Sequence, residues 1–169
     1  MIKNEYSSVL RDDLSMKNED VEDIWIEAKI HNQKYIIGSV YRHPGTDISK
    51  FSEQMEIFMH KILMEQGRAF ICGDFNIDDL KICKDKKTSE YFDNVLKQNF
   101  VPTICIPTLI TESIATNIDN ILMKLNNITI NNEIERGKVY SDISDHLPNI
   151  LRLKSSKEGP CFQKMKDHG

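Results

Sequence analysis

A strand–helix–strand succession between residues 35 and 73 constrains the fold of this 169-residue chain more than any other feature. The run "YIIGSVY" (35–41) is mostly apolar and has the length of a central strand. The segment "DISKFSEQMEIFMHKILMEQG" (47–67) carries apolar residues every three or four positions, the stripe of a core-facing helix: Phe51, Met55, Phe58 and Ile62. "AFICG" (69–73) is again a strand-length apolar run. Strands joined through a helix predict an α/β domain in which helices pack on a sheet.

The flanking segments extend this pattern into a mixed sheet. In "EDIWIEAKI" (22–30) apolar and polar residues alternate, which indicates a half-buried strand, and the polar "HNQK" turn joins it to the run at 35–41 as an antiparallel hairpin. "SEYFDNVLKQNF" (89–100) is typical of a second amphipathic helix. Further extended or strand segments are predicted at 101–108, 116–123, 128–135 and 147–153. We expect one domain over residues 1–153 and a loose tail over 154–169, where no periodicity is visible.

Composition narrows the setting of the protein without identifying its activity. The formal net charge is −4, so the chain as a whole has no electrostatic attraction for nucleic acid. No apolar stretch approaches the length of a membrane span, and the first residues do not form a secretory signal. The cysteines are scattered and reduced thiols are favoured: Cys72, Cys83, Cys105 and Cys161. We therefore expect an intracellular protein, nuclear or cytoplasmic, with no membrane association and no obligate protein partner.

Four polar groups follow the predicted strands, where ligands collect in α/β proteins. They are "YRHP" (41–44), "GDFN" (73–76), "TNIDN" (116–120) and "SDISDH" (141–146). Each group alone has an ordinary explanation, because an aspartate after glycine is typical of a turn. Asp119 within an apolar strand is more informative, since a carboxylate buried there needs a partner. The ordinary explanation is that Asp119 lies on a strand edge that faces water.

The order of these groups resembles the endonuclease/exonuclease/phosphatase superfamily, to which deoxyribonuclease I and the abasic-site endonucleases belong. The shared pattern is G-D-x-N, then I-D, then S-D-H-x-P. The surrounding segments "SVYRHPG", "PTLITESIATNIDNIL" and "SDISDHLPNI" are most similar to the endonuclease domain of non-LTR (LINE-type) retrotransposons. The resemblance covers roughly residues 10–153, as judged by the spread of the motifs. It implies a deoxyribonuclease I-like fold, a two-sheet α/β sandwich with helices packed outside.

The resemblance also implies a site for attack by water on a phosphodiester. Asp74 would activate or hold the water, and Asn76 would orient the water and contact the scissile phosphate. Asp145 would contribute to a metal site. The expected cofactor is Mg²⁺, with Mn²⁺ as an alternative, because a hard cation neutralises the anionic diester and prefers carboxylate oxygens. DNA is the implied substrate and partner.

The same resemblance assigns the phosphate contacts. His146 would bind a non-bridging phosphate oxygen and stabilise negative charge in the transition state. Asp119 would hold His146 in its working tautomer, since an imidazole needs its second nitrogen fixed. Tyr41 would hydrogen-bond the phosphate or the leaving oxygen. Arg42 would contact phosphate or DNA.

The chain departs from the family pattern in three places. The leading family segment, which supplies the first strands of one sheet and the principal metal-binding glutamate, has no counterpart here. The acidic residues near the start lie in the wrong context to replace it: Glu5, Asp12, Asp13 and Glu19. In addition, Leu109 stands where the family often has arginine, and Asn120 where it often has histidine or tyrosine. The expectation is a partial sandwich with an uncovered sheet edge and marginal stability.

Three functions are therefore open from the sequence. The first is the Mg²⁺-dependent DNA endonuclease domain of a retrotransposon-derived protein. The second is a catalytically inactive remnant that binds nucleic acid weakly. The third is a phosphatase of the same superfamily, which the retrotransposon-like segments disfavour.

Overall fold

The computed structural model of the chain describes residues 6–110, 115–125, 134–139 and 146–153. Within these ranges lie ten strands and two α-helices: β1 (Ser7–Leu10), β2 (Val21–Ile30), β3 (Gln33–Arg42), α1 (Ile48–Met64), β4 (Arg68–Asp74), α2 (Lys86–Lys97), β5 (Phe100–Pro102), β6 (Leu109–Ile110), β7 (Ala115–Thr116), β8 (Asp119–Lys124), β9 (Ile134–Lys138) and β10 (Asn149–Leu153). The predicted mixed α/β architecture is confirmed.

Six strands form one mixed sheet in the order β1–β2–β3–β4–β8–β5. The predicted antiparallel hairpin is β2–β3, in register from Val21 opposite Arg42 to Ile30 opposite Gln33. Strands β3 and β4 run parallel, because α1 returns the chain between them. Strand β8 lies antiparallel to β4 and separates it from β5. The crossover predicted over residues 35–73 thus occupies the centre of the sheet.

Both helices pack on one face of this sheet. Helix α1 begins after Asp47, whose carboxylate accepts hydrogen bonds from the backbone N–H groups of Ser49 and Lys50. Helix α2 begins at Lys86, three residues before the predicted start, because the side chain of Asp85 accepts the Thr88 N–H and caps the earlier turn. Their buried stripes meet the sheet in one cluster, which includes Phe51, Met55, Met59, Ile62, Tyr91, Phe92 and Val95.

The strand predicted over residues 22–30 is confirmed as β2, but its burial does not alternate strictly, because Val21 and Trp25 on one face and Ala28 on the other are all buried. Trp25 lies beneath the helices and is 1% exposed, whereas Ile24 on the opposite face is 57% exposed. Gly38 pairs with Trp25 across the hairpin, and a Cβ at Gly38 would lie 2.4 Å from the indole ring. Burial along β2 is therefore decided by the layer that packs on each face and not by the number of isoleucines on that face.

The other face of the sheet is covered in part by the β9–β10 hairpin. Its apolar residues Ile134, Leu151 and Leu153 pack against a second buried cluster: Phe70, Ile104, Ile121 and Met123. Two sheets with helices outside one of them form a partial deoxyribonuclease I-like sandwich, as predicted. The edge strand β1 is exposed along its whole length.

Some predictions concern residues outside the described ranges. These include the tail over 154–169, Cys161, and residues 128–133 of the strand predicted over 128–135; β9 begins at Ile134. Among the described residues, Cys72, Cys83 and Cys105 are free thiols. None of the helices in the described part of the chain is long and apolar enough to cross a lipid bilayer.

Candidate active site

Three of the residues singled out in the sequence lie side by side across the central sheet. Tyr41 near the end of β3 is in register with Asp74 at the end of β4, and Asp74 is in register with Asp119 at the start of β8. Side chains directly opposite one another on neighbouring strands point to the same face. Tyr41 and Asp74 are 33 residues apart in the sequence, and Asp74 and Asp119 are 45 residues apart. Their polar side chains are nevertheless neighbours at one end of the sheet.

The turn after β4 depends on a glycine. Gly73 approaches β3 so closely that a Cβ would lie 1.8 Å from the carbonyl oxygen of Val40, so no other residue fits there. The four residues that follow Gly73 alternate in direction. Phe75 and Ile77 are buried in the helix-side core, which leaves Asp74 and Asn76 on the side away from it.

Asp74 and Asn76 are held to one another by the backbone. The carboxylate Oδ1 of Asp74 accepts the N–H of Asn76 at 2.9 Å. Asn76 adopts a positive φ of 49°, a conformation that asparagine tolerates better than most residues. Its side-chain Nδ2 donates to the carbonyl oxygen of Arg42 at 2.7 Å. These hydrogen bonds fix the turn at both site residues. The sequence pattern D-x-N is typical of such a turn.

The buried side chain of Arg42 supports this turn through hydrogen bonds to its backbone. It is 3% exposed, and its guanidinium donates to the carbonyl oxygens of Thr46, Phe75 and Asn76, the last two at 2.6 Å. Burial lowers the pKa of Arg42. The expected contact of Arg42 with phosphate or DNA does not fit this placement, because the guanidinium lies under the turn and its donors are committed to backbone carbonyls. Arg42 instead fixes the position of Asn76.

His146 joins the row from the β10 side. Its Nδ1 lies 2.9 Å from Oδ2 of Asp119, so the carboxylate orients the imidazole. His146 also forms a β-bridge with Leu109, and the N–H of Leu147 donates to the carbonyl oxygen of Thr108 at 2.8 Å. The short β6–β7 hairpin thus positions His146 opposite β8. The aspartate–histidine pair that the family resemblance implies is present in the geometry.

Thr108 organises the start of β8 and was not singled out as a site residue from the sequence. It is 0% exposed, and its Oγ1 accepts the N–H groups of Ile118 and Asp119, both at 3.2 Å. Asn149 also contributes, since its Nδ2 donates to the carbonyl oxygen of Asp119 at 3.4 Å. The quoted "PT" at residues 107–108 contained the Thr108 signal, whereas nothing in the local sequence marks Asn149.

Asn120 has a structural role in place of the histidine or tyrosine of the family pattern. It is 4% exposed, and its Oδ1 accepts the backbone N–H groups of Thr103 and Ile104 at 3.2 Å. Its Nδ2 donates to the Ile104 carbonyl oxygen at 2.9 Å. The side chain therefore ties the loop after β5 to β8.

Asp74, Asp119 and His146 form a compact acidic cluster. One potential ligand atom from each lies within 4.8 Å of the others. Burial raises the pKa of Asp74; the Asn76 N–H opposes this, the Asp119 carboxylate raises it further, and His146 and Arg42 oppose it. Two carboxylates that repel one another in a half-buried cleft, beside an imidazole, form a donor set that suits a divalent cation. The residues present therefore fit such an ion.

A cleft of about 480 Å³ opens over this cluster. Its polar wall contains Asp74, Asp119 and His146. Its remaining lining comes from both layers: Cys72, Gly73, Asn120, Ile121, Leu147, Pro148 and Asn149. Burial raises the pKa of the Cys72 thiol to about 11, so this thiol is neutral beside the carboxylates at physiological pH. The cleft has room for a small group next to the row of site residues.

Tyr41 lies at the outer end of the row. It is 38% exposed, and its ring lies 5.3 Å from that of His43. Tyr41 is therefore partly accessible on the strand next to Asp74. Asp145, the predicted metal ligand, lies outside the described residues. The structure thus brings together Tyr41, Asp74, Asn76, Asp119 and His146.

No protein-family model and no curated protein matches this chain. Solved structures do. The endonuclease domain of TRAS1, a telomere-specific non-LTR retrotransposon, superposes with a TM-score of 0.70 at 13% identity, over 92% of this chain and 72% of that domain. An endonuclease/exonuclease/phosphatase family protein from Leptotrichia buccalis gives a TM-score of 0.58 at 12% identity, over 89% of this chain and 61% of that one.

A third similar structure is the 3′ phosphatase from Neisseria bound to a product DNA hairpin. Its TM-score is 0.58 at 14% identity, over 91% of this chain and 72% of that one. Together these similarities show that the chain has the fold of the endonuclease/exonuclease/phosphatase superfamily and resembles a LINE-type endonuclease domain. Between 28% and 39% of each of these three neighbours has no counterpart in this chain.

Proposed function

We propose that this chain is a phosphodiesterase domain that cleaves DNA with the help of a divalent cation, Mg²⁺ in the first instance. The observation that carries the proposal is the contact of His146 Nδ1 with Asp119 Oδ2 at 2.9 Å, immediately beside Asp74. An imidazole fixed by a carboxylate and placed next to a second carboxylate can stabilise a developing negative charge while the second carboxylate handles a proton.

In this proposal the residues of the row divide the steps of hydrolysis among them, and the two aspartates also face the cation. Asp74, held by the Asn76 N–H, takes a proton from the attacking water or orients it. The raised pKa of Asp74 favours this task, because a more basic carboxylate is a better proton acceptor. His146 donates to a non-bridging oxygen of the phosphate, and Asp119 compensates the positive charge of the imidazole. Tyr41, exposed beside Asp74, donates its phenol to the phosphate or the leaving oxygen.

Asp74 and Asp119 would hold the cation, with Asp145 as a further candidate ligand. A bound divalent cation supplies charge neutralisation of the diester at this site. Mg²⁺ keeps several waters and needs only one or two protein carboxylates, which suits the donors of this cleft. Mn²⁺ takes the same carboxylate and water oxygens as Mg²⁺, so it is the expected substitute.

DNA is the proposed substrate because the cleft lies at an accessible sheet edge and the neighbours with this fold include a DNA-bound phosphatase and a retrotransposon endonuclease domain. A retrotransposon-derived origin is proposed on the same resemblance together with the "YRHP" and "SDISDH" segments. The net charge of −4 predicts weak, salt-sensitive binding that depends on the cation more than on a basic surface.

A supercoiled-plasmid nicking assay tests the proposal. We expect nicking in Mg²⁺ that disappears in excess EDTA. We expect Asp74→Asn, which preserves shape and removes the charge, to lose about 10²–10⁴-fold in rate. The matched control is Asp93→Asn, which removes the same charge from an exposed position on α2 and should nick as the unmodified protein does.

Two results would contradict the proposal. Equal nicking by Asp74→Asn and the unmodified protein would assign the signal to a contaminating nuclease. No nicking by a folded, unmodified protein in either Mg²⁺ or Mn²⁺ would favour a catalytically inactive remnant. Cleavage of a 3′-phosphate from an oligonucleotide, without nicking, would favour the phosphatase.

A further inference from the structure

Five buried side-chain oxygens have no hydrogen-bond partner among the described residues, on Asp79, Tyr91, Thr116, Asn117 and Asn149, and two of them belong to side chains that contact one another. These two are Oδ1 of Asp79 and Oδ1 of Asn117. Asp79 begins the 3₁₀ turn Asp79–Lys81, five residues after Asp74, and Asn117 lies two residues before Asp119. Buried polar atoms are normally paired, because leaving one unpaired is strongly unfavourable. The coincidence of two such atoms calls for a single explanation.

One of the two hydrogen bonds that could join these side chains is present. Nδ2 of Asn117 donates to Oδ2 of Asp79 and to the carbonyl oxygen of Ile104, the latter at 2.9 Å. These two acceptors fix the orientation of the amide, because the opposite orientation would place its oxygen against two other oxygens. Asn117 is 1% exposed, so the amide has no freedom to satisfy its Oδ1 in bulk water.

We propose that Asp79 carries a proton on Oδ1 and donates it to Oδ1 of Asn117, so that acid and amide form a pair of hydrogen bonds. One proton then satisfies both orphaned oxygens at once. The pair acts as a clamp between the loop that follows Asp74 and the loop that precedes Asp119. Asp79 and Asn117 are thus positioning residues for the two site carboxylates; that role rests on the proposed function, whereas the protonated pair does not.

The surroundings of Asp79 favour the neutral acid. Burial raises the pKa of Asp79 to about 6, the hydrogen bond from Asn117 opposes this shift, and the neighbouring carboxylate of Asp78 adds to it. Lys138 on β9 opposes it from a distance. The negative charge of Asp78 is itself partly compensated by Lys81 at 3.3 Å. The backbone reinforces the clamp, since the Asp79 N–H donates to the Asn117 carbonyl oxygen at 3.2 Å.

The clamp has a definite pH dependence. Because the folded-state pKa of Asp79 is raised, its contribution to stability is complete below about pH 4 and is lost as the pH rises through about 6. Above that pH the ionised carboxylate would face Asn117 Oδ1 without a proton between them. The positions of Asp74 and Asp119 relative to one another would then be less well fixed above about pH 6.

The isosteric variant Asp79→Asn provides the test, because an amide can form the same two hydrogen bonds with Asn117 without titrating. We expect Asp79→Asn to exceed the unmodified protein in melting temperature by roughly 3–8 °C at pH 8, and to differ little from it at pH 4.5. The control Asp93→Asn, which removes an exposed charge, should track the unmodified protein at both pH values.

A carboxyl ¹³C NMR titration of the unmodified protein measures the proton directly, even if a variant fails to fold. An Asp79 pKa near 6 is expected, and a value at or below the ordinary range of aspartate would overturn the proposal. So would a melting-temperature difference between Asp79→Asn and the unmodified protein that does not change with pH.

The positioning role is tested separately by the pH profile of nicking. Asp79→Asn should retain several-fold more activity than the unmodified protein at pH 8, with equal activity at pH 5.5. Identical profiles would refute the positioning role. Absence of nicking in both proteins would refute the proposed function, while the NMR and melting measurements still decide the protonated pair.

Discussion

Asp119 and His146 are 27 positions apart in the sequence and are joined by a hydrogen bond of 2.9 Å between carboxylate Oδ2 and imidazole Nδ1. Asp119 begins β8, an interior strand of the six-stranded sheet, whereas His146 lies in the segment before β10. A side chain that links two layers in this way orients the imidazole only while both layers keep their relative position. The orientation of His146 that the proposed function requires therefore depends on the packing of the β9–β10 hairpin as well as on the two residues.

The first prediction concerns this pair. Asp119→Asn should lower the single-turnover rate of plasmid nicking by about 10²–10⁴-fold, because the amide no longer compensates a positively charged imidazole or selects its tautomer. Fold and melting temperature should change far less than the rate. A rate equal to that of the exposed-charge control Asp93→Asn would show that the pair does not take part in catalysis.

The second prediction concerns Thr108, which accepts the N–H groups of Ile118 and Asp119. Thr108→Val keeps the shape and leaves both buried donors unpaired, so we expect a loss of about 1–3 kcal/mol in the free energy of unfolding. Nicking should fall as well, since the start of β8 carries Asp119. Thr108→Ser retains the hydroxyl and should recover both properties in large part. Chemical denaturation compares the three proteins, and equal stability of the valine and serine variants would contradict the assigned role.

The third prediction concerns the glycine of the turn. Gly73→Ala should reduce the free energy of unfolding by at least about 3 kcal/mol, because the added Cβ would overlap the carbonyl oxygen of Val40 on a central strand. The matched control is Gly137→Ala in β9, where a Cβ meets nothing within 4 Å. That control should stay within about 0.5 kcal/mol of the unmodified protein. Similar losses for both variants would refute the steric argument.

The fourth prediction concerns pH and the ion-pair network at the far end of the sheet. Glu65 follows α1 and contacts Arg11 after β1 and Lys34 on β3, and its side chain is 23% exposed. The hydrogen bond from Arg11, with a further one from Lys34, lowers the pKa of Glu65 to about 2. A lowered folded-state pKa contributes stability that is present above the ordinary glutamate pKa and is lost as the pH falls toward 2.

Glu65→Gln should therefore be about 1–2 kcal/mol less stable than the unmodified protein at pH 7. This is the loss expected for a charge-assisted interaction that solvent partly screens. The difference should shrink steadily between about pH 4.5 and pH 2. Urea denaturation at several pH values measures it, with the exposed Glu53→Gln on α1 as the control. A difference that is constant with pH would argue against the ion pairs.

Local patterns in the sequence were sufficient for much of the fold. The apolar stripe that begins at Phe51 predicted α1, and the alternation around Trp25 predicted β2, because both periods follow directly from backbone geometry. The D-x-N pattern at Asp74 and Asn76 likewise encoded a turn whose hydrogen bonds are local. Helix α2 was predicted with a late start, since Asp85 caps a polar first turn that has no apolar periodicity.

The site could be predicted only in part, for a reason that Arg42 illustrates. As a sequence feature it looked like a phosphate contact beside Tyr41; in the structure its guanidinium is buried beneath a turn 33 to 34 residues away. Thr108, Asn117 and Asp79 were not recognised as supports of the site, because each acts through a residue that is distant in sequence.

The sequence by itself thus determined the two helices, the strands β2 to β4 and the D-x-N turn, because all of these depend on neighbours within a few positions. The tertiary structure alone decided the register that places Tyr41, Asp74 and Asp119 in one row, the approach of His146 and the burial of Arg42. These relationships follow from which strands pair and which layers pack together, and such contacts between distant segments leave no local pattern in a single sequence.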